Sequence, residues 1–293
     1  MNNQTYRVSK LGFVAGLSLA LTSVIIASPF ASEVVSSTGL PGDGLYNDPN
    51  AVLGKPTTLF NHGSAATPDI RRTKLAEGLF GTDPDGGKLI TTVGEGQSLT
   101  VKFAQPVLDD PSNWYGLDFL VFGNAFFSAE GVVDDDTDAN TMKLVEAGTA
   151  FTEPVKVSVS PDNVNWYTFD NGPYADTLFP TNAYAWDRDA AAWADQELDW
   201  TKPVNPALTN ADFGGLTIAD AIDLYDGSAG GTGFDLAESG FASIQYIRVE
   251  GVAGFAGGEI DAFADVAPVP EPATLAALGL GIAALARRRG GKR

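Results

Sequence analysis

The chain has 293 residues, 44% of them hydrophobic and 19% charged, with 33 Gly, 17 Pro, one His, no Cys and a formal net charge of −19. The apolar fraction suffices for a substantial core, while so much Gly and Pro argues for a turn-rich fold and against a helical bundle. The lack of Cys excludes disulfides, thiolate-ligated zinc and thiol nucleophiles, and 37 acids against 18 bases exclude a basic surface for nucleic acid.

At the N-terminus, Arg7 and Lys10 precede the uncharged stretch Leu11 to Ala27, and the small residues Ala27, Ser28, Ala31 and Ser32 follow. This order predicts a secretory signal helix over residues 1–31, with a retained membrane anchor as the alternative. The body, residues 32–267, reads as one β-rich domain. Ile70 to Leu79 has a helical pattern, and a short helical insertion is expected there. In Ser98 to Ala104 the apolar Leu99, Val101 and Phe103 alternate with Ser98, Thr100 and Lys102, the signature of a half-buried strand. Phe119 to Phe122 is apolar at every position between Asp118 and Gly123, as in a central strand covered on both faces. Val155, Val157 and Val159 mark a further half-buried strand. Pro161, Asp162 and Asn163 then turn the chain into a hairpin from Ser160 to Phe169, with Trp166 on the return arm. Ala190 to Leu198 is the second expected helical insertion. Ile244 to Glu250 and Ile260 to Val266 are the closing strands, the latter with Ile260, Ala262, Ala264 and Val266 expected on one face.

Most catalytic chemistries lack their residues. His62 is the single histidine, no G-x-S-x-G elbow occurs, and several-histidine zinc sites, P-loops and G-x-G-x-x-G motifs are absent. Glycoside hydrolysis needs two carboxylates and aromatic groove walls, and Trp114, Tyr115, Trp166, Trp186, Trp193 and Trp200 are available for the latter. Calcium needs six to eight oxygens, best gathered from Asp, Asn and carbonyls on loops. Three places offer them: Asp134, Asp135, Asp136 and Asp138; Asp83 and Asp85 before Gly86 and Gly87; and Asp118 with Asn124 on either side of the apolar run. Asp134, Asp136 and Asp138 have the spacing of an EF-hand, but Ala139 stands where that loop requires Gly and Val145 where it requires Glu. They remain a candidate for a calcium loop of another kind.

At the C-terminus, prolines 268, 270 and 272 precede an uncharged stretch from Ala273 to Ala286 and the cluster Arg287, Arg288 and Arg289. Fourteen residues of helix cover about 21 Å, short of the roughly 30 Å hydrocarbon core, so such a transmembrane-like helix is a poor permanent anchor. Residues 268–293 resemble the PEP-CTERM sorting signal: Pro270, Glu271 and Pro272 stand for its signature, Leu275 to Ala286 for its apolar helix and Arg287 to Arg289 for its basic stop. The resemblance implies export through the general secretion machinery, transient anchoring in the inner membrane and processing by an exosortase, in a bacterium that makes exopolysaccharide and biofilm. Residues 1–31 and 273–293 hold seven bases and no acids, so the remainder carries 11 bases against 37 acids, a charge of −26.

The body also resembles a family of secreted bacterial surface domains, through LGKPTT, SLTVKFAQPVLDD, DFLVFGNAF, VSVSPDNVNWYTF, GGTGFDLAE, IQYIRVEGV and GGEIDAF. That family implies a jelly-roll-like β-sandwich of galactose-binding, discoidin-like type. Its usual acid before the Asn of the third motif is replaced here by Gly123, and its closing element reads Gly258, Glu259, Ile260, Asp261, Ala262 and Phe263. The expectation is an exported, non-catalytic surface or extracellular-matrix protein that binds polysaccharide or calcium, or that serves structurally. A secreted carbohydrate-active hydrolase is the alternative.

Overall fold

A computed structural model describes residues 28–39 and 46–268. In chain order its strands are β1 (Ala31–Thr38), β2 (Leu59–Asn61), β3 (Ile70–Arg72), β4 (Thr91–Val93), β5 (Ser98–Leu108), β6 (Phe119–Gly123), β7 (Phe126–Phe127), β8 (Ala150–Phe151), β9 (Val155–Ser160), β10 (Tyr167–Thr168), β11 (Tyr184–Asp187), β12 (Ala192–Glu197), β13 (Thr232–Phe234), β14 (Ser243–Gly251) and β15 (Gly258–Asp265). Helices α1 (Asn210–Phe213) and α2 (Ile218–Leu224) lie between β12 and β13. The fold is all-β. A five-stranded sheet in the order β1-β5-β14-β9-β10 faces a four-stranded sheet in the order β13-β6-β15-β4, and the pairings within both are antiparallel.

The inner faces build the main core. Leu99, Val101 and Phe103 of β5, Val155, Val157 and Val159 of β9, and Ile244, Ile247 and Val249 of β14 meet Phe119, Val121, Phe234 and Phe263 from the other sheet. The strict alternation in β5 and β9 is therefore a true inward face. The Phe119 and Phe234 rings stack at 4.8 Å, with Phe169 edge-on to both. Strand β6 lies between β13 and β15, and its alternate residues Leu120 and Phe122 point away from this core into a second one, with Ala183, Trp200, Ala229, Ala262, Ala264 and Val266. Both of its faces are covered, as its unbroken apolar run requires.

Three expectations are corrected. A register irregularity between Ile260 and Ala262 in β15 turns Ile260 into the inter-sheet core while Ala262, Ala264 and Val266 face outward, so the four do not share a face. Residues 190–198 form strand β12 and not a helix. Asp187 accepts from the backbone N–H groups of Asp189 and Ala190, closing a turn from which Trp193 comes back to pair with Trp186, their rings 5.1 Å apart. Residues 70–79 likewise give β3 and then a turn from Lys74 to Glu77. The Lys74 side chain is wholly buried, and its Nζ lies 2.6 Å from Glu77 and 2.7 Å from Asp135. Burying an ammonium costs several kcal/mol unless it is paired, so the chain takes the path that satisfies it and helical propensity loses. The helices that do form, α1 and α2, pack Phe213, Ile218 and Ile222 with Phe127, Leu144, Val204 and Tyr225 in a third apolar cluster beside the sheets.

At the N-terminal side, the Pro29 carbonyl accepts from the Asp265 N–H at 2.7 Å, Phe30 bridges to Ala264, and Ala31 is buried. The segment boundary expected between residues 31 and 32 falls within β1. Among the described residues no helix is long and apolar enough to cross a membrane. The two segments expected to do so, residues 11–27 and 275–286, lie outside them.

Phe122 is fully buried, edge-on to Trp200 at 5.6 Å. Truncation should leave a cavity between the sheet and its outer cover. Phe122→Ala should lower the unfolding free energy in urea by about 3–5 kcal/mol, whereas Phe255→Ala, at a 46% exposed site, should change it by less than about 0.5 kcal/mol.

Candidate functional site

The antiparallel register brings several carboxylates to one end of the two sheets. Phe119, the first residue of β6, is opposite Phe234 of β13 on one side and Asp265 of β15 on the other. Asp118, just before β6, is thereby placed beside Asp235, just after β13, and Asp109, just after β5, joins them. Carboxylate oxygens of Asp109, Asp118 and Asp235 all lie within 4.8 Å of one another. Asp118 is fully buried. Its Oδ1 accepts from the Asp110 N–H and from Asn113 Nδ2, both at 3.0 Å, and its Oδ2 accepts from the Leu236 N–H at 2.8 Å. Burial nevertheless outweighs these bonds and pushes its carboxyl above the ordinary range, with the charge of Asp109 adding to the effect. Asp265 is pushed up to about 7 by burial and by the Asp118 charge.

The chain leaves the fold at this same end. The Val266 N–H donates to the Asp118 carbonyl, the Ala267 N–H to the Thr201 carbonyl, and Pro268 forms an antiparallel bridge with Asn113. Lys202 stands 4.4 Å over the Trp114 ring nearby.

A second acidic group lies behind Gly123. Asp176 is fully buried, accepting from the Ala125 N–H through Oδ1 and from the Glu259 N–H through Oδ2. Burial raises its carboxyl to about 8, with Glu259 and Glu153 adding negative charge. A Cβ on residue 123 would sit 2.4 Å from Asp176 Oδ1. Gly123 is thus what admits the Asp176 carboxylate. Asn124 accepts from the Leu79 N–H and donates to Glu259; it serves this second group and does not share a site with Asp118. Asp261 is buried to the point that its carboxyl rises to about 7, and it accepts from both the N–H and the hydroxyl of Thr57.

The loop singled out for calcium uses its carboxylates differently. Asp134 accepts from the Asp136 N–H and the Thr137 hydroxyl, Asp138 accepts from the Asn140 N–H, and Asp136 is exposed. Asp135 is ion-paired with Arg72 and Lys74, whose hydrogen bonds and charge overcome the effect of burial and hold it below the usual carboxylate range. Asp134, Asp136 and Asp138 are not brought together. Asp83 closes its own loop by accepting from the Asp85 and Gly87 N–H groups. His62 lies 3.6 Å from Asp69, but the hydroxyl of Ser64 bonds to Thr67, so no Ser-His pair forms. Sequence reasoning reached Asp118 but not Asp109, Asn113 or Asp235. The signal was an acid directly following an apolar strand, in VLDD and again in GFDLAE.

The PEP-CTERM protein-sorting motif matches residues 268–290, beginning at the residue bridged to Asn113. No curated protein matches the chain. The motif marks an exported, cell-surface protein with an exosortase as its processing partner. Its sorting residues Pro270, Glu271, Pro272, Arg287, Arg288 and Arg289 lie outside the described residues.

Asp176, Asp261 and Asp265 each hold a proton in the folded chain at a pH where the unfolded chain has released it. Their contribution to stability is complete below about pH 4 and is lost as the pH rises through 7 to 8. In Asp261→Asn, the carboxamide can still accept from the Thr57 N–H and donate to its hydroxyl. This variant should fold, and between pH 5 and 7 its unfolding free energy should fall less steeply than the wild type's, by about 1.4 kcal/mol per pH unit, one proton's worth. Equal slopes in urea titrations across that range would contradict the assignment.

Proposed function

We propose that the chain is a non-catalytic cell-surface or extracellular-matrix protein: a β-sandwich released outside the cell when an exosortase cuts its tail. The observation that carries this reading is the sorting motif at residues 268–290, which starts where the last strand leaves the fold. Pro268 is exposed and bridged to Asn113, so the sorting motif begins at the surface of the described fold. Successive strands pass between the two sheets, from β4 to β5 to β6 and from β13 to β14 to β15, which supports the jelly-roll-like, discoidin-like reading of the body. Exopolysaccharide is the partner such a protein meets, and the strongly acidic surface suits a solvated matrix component.

The tryptophans support the non-catalytic reading over a hydrolase. Trp200 is buried, Trp186 and Trp193 pack on each other, and Trp166 lies under Arg248 at 4.2 Å. Each of these rings is engaged by the protein itself, as is Trp114 by Lys202 at 4.4 Å. Purified protein should give no turnover of β- or α-linked polysaccharides above a buffer blank; sustained release of reducing ends, lost on mutating one pair of acids, would favour the hydrolase.

Both ends of the mature chain are readable by mass spectrometry. Because Pro29, Phe30 and Ala31 are built into the sheets, signal removal after Ala27 leaves the fold intact, whereas removal after Ala31 strips a hydrogen bond and a buried residue. From the native host, surface protein should begin at Ser28 and end between Pro270 and Pro272. Without the exosortase it should keep Arg287 to Arg293 and sediment with membranes. Intact Arg287 to Arg293 on surface protein from the native host would leave a plain membrane anchor.

A further inference from the structure

Residues of β5, β9 and β14 that alternate with the core form the outer face of the five-stranded sheet: Thr100 and Lys102, Ser158 and Ser160, Tyr246 and Arg248. The register sets Tyr246 between Lys102 and Ser160, and Arg248 between Thr100 and Ser158. Lys102 and Arg248 therefore stand in adjacent rows, roughly 7 Å apart along the strand direction. Thr100, Ser158 and Ser160 are at most 3% exposed although they point out of the sandwich, so longer side chains lie over them. Lys102 Nζ is 5.8 Å from the centre of the Tyr246 ring, and the Arg248 guanidinium is 4.2 Å from that of Trp166. Both cations are within reach of a cation–π attraction, which holds them to this face.

The other Lys and Arg ion pairs of the described fold are close, 2.5 to 3.0 Å long. These two cations are left looser. Lys102 Nζ lies 3.7 Å from Glu33 and Arg248 Nε lies 3.5 Å from Glu250, and among the described residues neither side chain makes a hydrogen bond. The Nε of Arg248 is buried without a partner. A guanidinium carries five N–H donors in a rigid fork, and here a ring fixes its plane while the fork stays unused. In a body of 37 acids and 11 bases, this leaves a place where an anion meets positive charge not already bonded to a carboxylate.

We propose that this face binds a polysaccharide whose sugars carry carboxylate groups, with Arg248 and Lys102 as its anion contacts. The proposal deepens the surface role set out above and rests on it for the encounter with polysaccharide. A sugar acid matches the face on three counts. Its carboxylate accepts two parallel hydrogen bonds from the Arg248 fork. Its hydroxyls donate to Glu33 and Glu250, the acids beside the two cations, which would repel a densely charged polyphosphate. The apolar face of its ring packs on Tyr246. An extended polymer suits a sheet face, and cations in adjacent rows meet carboxylates repeated along one chain.

The test is isothermal titration calorimetry of the full-length protein, in a detergent without sugar groups, against a linear oligogalacturonate and a neutral maltooligosaccharide of equal length. The oligogalacturonate should bind and the neutral chain should not, and binding should weaken severalfold as NaCl rises from about 0.05 to 0.5 M. Arg248→Gln should weaken it by about tenfold, and Arg248→Lys, which keeps the charge and loses the fork, should restore only part of the loss. Lys102→Gln, at a partly exposed position that the fold tolerates, should cost about threefold. Arg188→Gln removes the same charge from a site where Asp220 and Asp223 already hold it, and should change the affinity by less than about twofold. The proposal is overturned if the oligogalacturonate does not bind, if the neutral chain binds equally, or if Arg188→Gln weakens binding as much as Arg248→Gln. It is equally overturned if Lys102→Gln and a folded Arg248→Gln both bind like the wild type. A salt-sensitive dimer in sedimentation, lost in Arg248→Gln and unaccompanied by sugar binding, would give the face to a second copy of the chain instead. None of these results alters the protein's termini or its location in the host, so the surface reading is decided separately.

Discussion

Phe119, Leu120, Val121 and Phe122 leave strand β6 without a polar face, so it can exist only with protein on both sides. The five-stranded sheet covers one side through Phe119 and Val121. The other side, Leu120 and Phe122, would be an exposed apolar surface if the domain were a simple two-layer sandwich. The segment between β12 and β13 and the stretch leading into β11 supply Ala183, Trp200 and Ala229 to cover it. Much of the chain outside the two sheets is the consequence of that single requirement.

The same strand organises the polar chemistry. Its first residue is flanked in register by Phe234 and Asp265, so the acids that end or precede strands in this sheet arrive together at one end. At its other end, Gly123 makes space for the buried Asp176 carboxylate, which in turn fixes the Ala125 and Glu259 backbone. Burial of acids in this way lowers stability at neutral pH and is tolerated because each carboxylate accepts backbone hydrogen bonds. Positive charge is placed elsewhere. Lys74, Arg71 and Arg72 form a network with Asp69, Glu77 and Asp135 that anchors the acidic loop to β3. Within that loop Asp135 is neutralised by the protein's own cations.

Architecture and address are joined at a few residues. Asn113 touches Asp118 with its side chain and Pro268 with its backbone, and Val266 reaches the Asp118 carbonyl. The described fold thus runs up to the first residue of the sorting motif.

The sequence by itself determined the address of the protein, because a sorting motif is a linear string of Pro-Glu-Pro, apolar run and basic stop that needs no partner to be recognised. It also determined the inward faces of β5 and β9 and the double burial of β6, since a period of two, or its absence, is a local property of the strand. Tertiary structure alone decided the rest. Residues 190–198 carry helix-forming Ala, Gln, Glu and Leu, yet the pairing of Trp193 with Trp186 makes them a strand. Lys74 bends residues 70–79 away from a helix toward Asp135, a partner remote in the chain. One register irregularity in β15 moved Ile260 to the opposite face from Ala262, which no alternation pattern can report. The converging acids were invisible for the same reason: Asp109, Asp118 and Asp235 lie on separate strand ends, and only antiparallel pairing of β6 with β13, with β5 packed across from them, brings their charges to one point.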